Sequence, residues 1–467
     1  MDHSAPLSTS PIRRLRRRAE VLTVGIITAF ILCFSVWCLV APKQTFSENE
    51  NRALASWPVY SFDTLKDGSY MSGIQTYLSD HFPLRDPFMT LKTKYEMLTG
   101  REEINDIYLA KDGYYIEAYK TPKQQKKIIS QFQKLQDAIT TGAKENVRVM
   151  LVPTAISTYN AKLPNCAPDR GVLRQVDTMN EIYAALPNMQ KVDAWSALQD
   201  AAVQEETDRT QASGDADGAQ PVADAGDTDR TQASGDADGA QPVADAKDAG
   251  RTQTSGDANS TQPVSNAGDA VCDTSAADGL YYHTDHHWTT HGAYIGYQAY
   301  CSAAGLSPIP EADFQKTCVT TDFHGTIFSK LHDSTVPGDA ITLYENPANQ
   351  LTVSYPDTGE VTDTLYNRDY LAQKDKYSMF LNNLHPLVEI TNASADSDRQ
   401  LVLIKDSYAN SMVPFLVHHY QKIYVFDTRY YRFGPSSFIN EHPEVTDVLL
   451  LYNMNTIDTD LGVGGIF

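Results

Sequence analysis

The sequence predicts an α/β fold: a parallel sheet with helices on both faces, carried behind an N-terminal transmembrane helix. Three observations predict it. Short apolar runs, "VRVMLVPT" (147–154), "QLVLIKDS" (400–407), "KIYVFDTR" (422–429) and "TDVLLLYN" (446–453), read as strands buried on both faces. Stretches of helical period lie between several of them, the alternation that builds a parallel sheet. Val21–Ala41 runs 21 residues without a charge, enough to span a bilayer as a helix.

The chain is taken in order. Residues 1–20 form a basic tail in which Arg13–Arg18 holds five arginines. That charge on the N-terminal side of the apolar run predicts a cytoplasmic N-terminus and an exported remainder. The run at 21–41 is long for a signal-peptide core and is followed by "APKQTF", a poor cleavage site, so it reads as an uncleaved anchor rather than a removed signal.

Residues 42–206 and 270–467 read as two parts of one extracytoplasmic domain. "FSENENRALASWP" (46–58) reads as extended, and "YLSDHFPLRDPFMTLKTKYEMLTG" (77–100) as a pair of helices. "YLAKDGYYIE" (108–117) alternates around Asp112-Gly113, a hairpin signal. Thr121-Pro122 is a helix-start signal, and Ile128, Phe132, Leu135 and Ile139 extend the helix over Pro122–Thr141. A second helix carries Leu173 to Leu186, and "KVDAW" (191–195) reads as a strand. Later, "YANSMVPFLVHHY" (408–420) reads as a helix.

Residues 207–269 are three copies of a 21-residue unit, the first two differing only at Gly226 and Lys247. They hold no Leu, Ile, Phe, Tyr or Trp, so they cannot build a core and read as a disordered insert. Their 12 aspartates against four basic residues account for −8 of the chain's net charge of −21. So acidic a chain excludes nucleic acid as a partner. Cys33 and Cys38 sit in the anchor. Cys166, Cys272, Cys301 and Cys318 lie where disulfides are permitted, with three pairings open.

The chemistry-bearing stretch is "YYHTDHHWTTHGAY" (281–294). Thr289 caps a helix running to Gly305. Asp285 and His287, two residues apart, have the residue types of an orienting carboxylate and a base. Ser407 completes a triad: it follows a buried strand at the turn into a helix, where backbone N–H groups point at a developing oxyanion. The alternative is that Ser407 merely caps that helix. Further candidates are Arg429 and Asn453 at strand ends, for a sugar hydroxyl or an oxyanion, Tyr408 and Asn410 beside Ser407, and His324 in "DFHGTIFSK". His286 and Trp288 read as packing residues, and His283 and His291 as surface residues. No metal is expected. The spacing of His283, Asp285, His286, His287 and His291 fits no ligand motif, and the adjacent His286 and His287 are expected to point apart. No cofactor is expected.

"TDHHWT.HGAY", with "FSENENR", "HFPLRD" and "KDGYY" upstream and "KDSYANS" downstream, resembles the DHHW family and, through it, AlgJ/AlgX-type alginate O-acetylation proteins. The resemblance covers about 46–200 and 275–455. It implies an SGNH-hydrolase-like domain with its motif order circularly permuted. Asp285, His286, His287 and Trp288 match the Asp-x-His-Trp motif and Ser407 the later serine. Lys405 departs from the usual glycine and could hinder approach or hold an anionic substrate. The implied function is O-acetylation of a cell-surface or secreted polysaccharide, with a membrane-bound O-acyltransferase supplying acyl groups. An acetylesterase using the same triad, and a non-catalytic glycan-binding or assembly protein, remain open.

Overall fold

The computed structural model describes residues 11–47, 52–217, 279–333, 335–455, 457 and 461–466. Its chain divides into two units, Met1–Glu205 with Cys272–Phe467, and Glu206–Val271. Most of the repeats lie outside the described residues. Their first residues, expected as disordered, instead continue a helix. Ala194–Asp217 is helical throughout, and its Ala, Gln and Arg content, with an Arg209–Glu206 ion pair at 2.7 Å, suits a helix.

The described residues make one large sheet. Its strands in chain order are β1 (Val147–Val152), β2 (Gln190–Lys191), β3 (Leu351–Tyr355), β4 (Glu360–Thr362), β5 (Leu387–Asn392), β6 (Gln400–Lys405), β7 (Lys422–Phe426) and β8 (Asp447–Asn453). They stand in the order β4-β3-β5-β7-β6-β8-β1-β2. From β7 to β2 all pairs are parallel, whereas β5, β3 and β4 join antiparallel. The sheet is therefore mixed, a correction to the expected parallel one.

Burial explains the division. Every residue of β1 and β8 is buried, as a strand covered on both faces requires. In β5 burial alternates, and β4 at the edge is exposed or half-exposed. The sheet thus passes from doubly covered at its parallel centre to singly covered at its antiparallel end.

Of the helices, α1 (Pro11–Val40) includes the only described segment long and apolar enough to cross a membrane, Leu15–Cys38; the arginines lie on the same helix. The expected helix pair is α2 (Ser69–Asp80) and α3 (Arg85–Leu98), and the hairpin pairs Ile107–Leu109 with Tyr115–Glu117. Next, α4 is shorter than expected, Gln125–Ala138, because Pro122 is buried ahead of it and Ile139 turns extended. Arg174–Ala184 is α5, and α6 is Ala194–Asp217. It takes Ala194 and Trp195 of the expected strand 191–195, of which only Lys191 pairs, opposite Val149. Finally, α7 (Thr290–Ala304) starts as expected, with the Thr289 hydroxyl accepting from Gly292 N. The expected helix 408–420 is a 3-10 turn, Ser407–Ser411, then a single α-turn, Val413–Leu416, broken by Pro414. Cys318 is disulfide-bonded, and Cys33, Cys38, Cys166 and Cys301 are free.

Candidate active site

The parallel strands deliver their C-terminal ends to one edge of the sheet, where Ser407 follows β6, Asp427 and Arg429 follow β7, and Asn453 ends β8. Facing them is the loop 281–288, closed at its base by a bridge between Tyr281 and Trp288. Buried Asp339 fixes the loop, accepting from His283 N and Thr284 N, each at 2.8 Å, and from the Thr284 hydroxyl at 2.6 Å. Trp288, fully buried, ties the loop to the serine turn by donating Nε1 to the Tyr408 carbonyl at 2.9 Å.

This framework brings Ser407, His287 and Asp285 together, although 120 residues separate the first two. Ser407 Oγ lies 2.8 Å from His287 Nε2, and His287 Nδ1 lies 2.5 Å from Asp285 Oδ2. The other carboxylate oxygen of Asp285 accepts from Thr326 N at 2.7 Å and the Thr326 hydroxyl at 2.9 Å. Gly325 permits that approach, since a Cβ there would overlap Asp285. Ser407 does not cap its own turn. Asp406 does, accepting from Tyr408 N at 3.0 Å, which leaves the serine hydroxyl to the imidazole.

Electrostatics favour a neutral base. Burial resists ionisation of Asp285, but the charges and hydrogen bonds of His286 and His287 overcome it and hold the carboxyl well below its ordinary range. The two imidazoles lie with centroids 3.9 Å apart and planes tilted by 36°, so charge on one opposes charge on the other. Burial, then the charge on His286, pushes His287 down. For His286, burial acts downward but Asp285 outweighs it and raises the pKa. Both Nδ1 atoms face Asp285, at 2.5 and 3.5 Å, which corrects the expectation that the two rings point apart. The three side chains are close enough to hold one ion. Their donor atoms are already engaged: Asp285 by Thr326 and His287, and His287 by Ser407.

Other expected residues fall differently. Asn453 does not face the cleft: fully buried, it donates N and Nδ2 to Asp406 Oδ2, each at 2.7 Å. Tyr408 is buried, its hydroxyl donating to the His286 carbonyl. Lys405 does not line the cleft. It is buried with Nζ 3.5 Å from Asp427 Oδ2, and burial lowers its pKa. Arg429 borders the cleft but grips Asp427 through Nε at 2.8 Å and Nη2 at 2.5 Å. His324 borders it with Nε2 3.2 Å from the Val336 carbonyl. His283 and His291, expected at the surface, pair with Asp339 and Glu311.

The cleft at Ser407 holds about 190 Å³ and is lined also by Tyr377, Thr326 and Asn410. A larger one, about 690 Å³, borders His283 and Asp339 but contains neither serine nor cysteine, so size does not locate the chemistry. Tyr377 and Thr326 were not foreseen. Thr326 lies two residues past the flagged His324, and Tyr377 carried no signal at all.

The DHHW protein family matches residues 50–114 and 271–426, including the string Asp285–Trp288. Over these two segments the chain is similar to the DHHW family. Among solved structures, a DHHW family protein from Eubacterium siraeum is 20% identical over 77% of this chain and 95% of its own, with a TM-score of 0.54, and shows the fold alone. PatB1 of Bacillus cereus is 17% identical over 76% of this chain and 96% of its own, with a TM-score of 0.48. The O-acetyltransferase domain of Pseudomonas putida AlgJ is 11% identical over 76% and 92%, with a TM-score of 0.34. The last two are too distant to carry a structural comparison. No curated protein matches this chain.

Proposed function

We propose that this chain is a membrane-anchored, extracytoplasmic enzyme with an SGNH-hydrolase-like, circularly permuted domain, and that it transfers an acetyl group to a cell-surface or secreted polysaccharide. The observation that carries the reading is the relay Asp285–His287–Ser407, at 2.5 and 2.8 Å. The acetyl group and the polysaccharide come from the resemblance of "TDHHWT" and "KDSYANS" to AlgJ/AlgX-type proteins.

In the first half-reaction neutral His287 takes the Ser407 proton as Oγ attacks the acyl carbonyl. Asp285 steadies the imidazolium, which returns the proton to the departing oxygen. In the second, a sugar hydroxyl loses its proton to His287, attacks the acyl-serine and releases Ser407, which recovers that proton. For the oxyanion we assign Asn410 in place of Asn453. It is buried and lines the cleft one 3-10 turn after Ser407, where its Nδ2 is a donor of the kind a developing oxyanion needs. Outside the membrane there is no acetyl-CoA, so a membrane-bound O-acyltransferase delivers the acyl group.

The test is to incubate the full chain in detergent with 4-nitrophenyl acetate and read the intact mass. Gain of one acetyl group, lost in Ser407→Ala and His287→Ala, supports the reading. Adding oligosaccharides then separates transfer from hydrolysis by an esterase. A folded protein that gains no acetyl group sinks the catalytic reading in favour of glycan binding or assembly.

A further inference from the structure

We propose that α3 lies in the lipid headgroup layer beside the anchor, so that the catalytic domain rests on the membrane surface rather than swinging free from a tether. This rests on the reading of α1 as a membrane anchor.

The first observation is the outward face of α3. Phe88, Leu91, Tyr95 and Leu98 are 47%, 63%, 66% and 87% exposed. At about 100° per residue they fall within an arc of roughly 80°. Soluble domains rarely spend four large apolar side chains on one exposed stripe. The opposite side of the helix is anchored to the domain: Thr93 is buried and donates to the Leu331 carbonyl at 2.6 Å, and Met97 packs on a cluster of Ile104, Ile107 and Leu331. The stripe is therefore held outward by its own domain.

The second observation is what flanks the stripe. Lys92 and Lys94 fall at about +80° and −80° from its centre, on its two shoulders. An apolar face with cations at both margins is the pattern of a helix lying in a bilayer interface, where the stems lie along the acyl boundary and the amines reach phosphate.

The third observation names the occupant. The turn into α3 touches the anchor itself: the rings of Phe82 and Phe34 lie 4.9 Å apart. Phe34 lies inside the candidate span Leu15–Cys38, about 6 Å from its outer end at the helical rise. Trp37, Ala41, Phe82, Leu84 and Arg85 line one cleft between the two. The stripe thus begins beside the depth at which α1 leaves the bilayer, and lipid is what surrounds α1 there. Trp57 and Tyr60, 55% and 62% exposed in the same region, are of the residue types favoured at such interfaces.

The experiment uses the full chain in phosphatidylcholine–phosphatidylglycerol liposomes, with Cys33, Cys38 and Cys166 replaced by serine and buried Cys301 retained. Nitroxides are placed by Phe88→Cys, Leu91→Cys and Tyr95→Cys, by Thr90→Cys and Met97→Cys on the inner side, and by Val24→Cys in the anchor. Collision with oxygen and with a water-soluble nickel chelate is then measured. The expected result is a severalfold higher oxygen-to-nickel ratio at 88, 91 and 95 than at 90 and 97. Free access of nickel to the stripe, with Val24 in lipid, overturns the proposal while leaving the anchor intact. Shielding of the stripe from both reagents means that it packs on protein, and also overturns it. A Val24 nitroxide open to nickel overturns the anchor and the platform together.

Discussion

The ring of Tyr377 lies flat on the imidazole of His287, with centroids 3.8 Å apart and planes 11° apart, while its hydroxyl donates to the Ser407 carbonyl at 3.0 Å. One side chain thus touches both the proposed base and the proposed nucleophile. Tyr377→Phe keeps the stack and loses the hydroxyl's bond to the Ser407 carbonyl, about 1 kcal/mol, along with its contact to Ser411 Oγ at 3.2 Å, so acyl transfer should fall at least roughly fivefold. Tyr377→Ala also frees the imidazole and should cost at least tenfold more. Initial rates with 4-nitrophenyl acetate decide this, and equal rates for the two variants would remove Tyr377 from the site.

The relay makes a pH prediction. His287 acts as a base only when neutral, and burial with the neighbouring His286 charge pushes its pKa down. Acylation should therefore rise with pH along a limb centred below the ordinary imidazole value of about 6.5, and be flat above it. Asp285→Asn should move that limb and cut the plateau by roughly 10³–10⁴-fold. A limb centred above the ordinary value would contradict the assignment.

Asparagines 410 and 453 should separate chemistry from stability. Asn410→Ala should lower acylation by roughly 10²–10³-fold with little change in melting temperature. Asn453→Ala leaves buried Asp406 short of a donor and should destabilise the fold by about 1–3 kcal/mol. Kinetics and thermal melts of both variants test the exchange of roles; a rate collapse confined to Asn453→Ala would restore the earlier assignment.

Gly325→Ala should be more damaging than its size suggests. The added methyl would overlap Asp285, so the carboxylate must shift away from Thr326 and His287. A cost of about 1–3 kcal/mol is expected, together with a drop in acylation. Denaturant titration beside the rate assay checks it, and a variant indistinguishable from the parent would show that Asp285 is not held there.

Lys405→Met should be tolerated. The buried Lys405–Asp427 pair would go, but Arg429 still holds Asp427, and replacing a buried charge by an apolar chain of similar volume is often near neutral, within about 1 kcal/mol. Retained acyl transfer would show that the lysine beside the serine is no obstacle, while a dead but folded variant would give it a chemical role.

How much of this was legible depended on the kind of signal. The buried parallel strands were, because a strand covered on both faces writes itself as an unbroken apolar run. Strands β3, β4 and β5 were not: with one face open, "LTVSY", "EVT" and "LVEITN" look like loop. The three side chains of the proposed relay were legible because Asp285 and His287 sit two apart and Ser407 follows a strand. Asn453 was misplaced because a strand end fixes position, not direction, and its amide turns inward to Asp406. Tyr377 enters the site by tertiary contact alone, from a turn no local pattern distinguishes.

The sheet joins its earliest long strand to its last: β1 lies beside β8, with Val147 opposite Val448. Between those two residues the chain passes through the repeats, the histidine loop and the serine turn. Contacts that close so long a stretch of chain form late. The oxygen of Asp406 that accepts from Asn453 also waits for β8. A chain still being made would thus have the histidine loop and the serine in hand and yet no finished cleft, so the proposed chemistry would wait for the last strand.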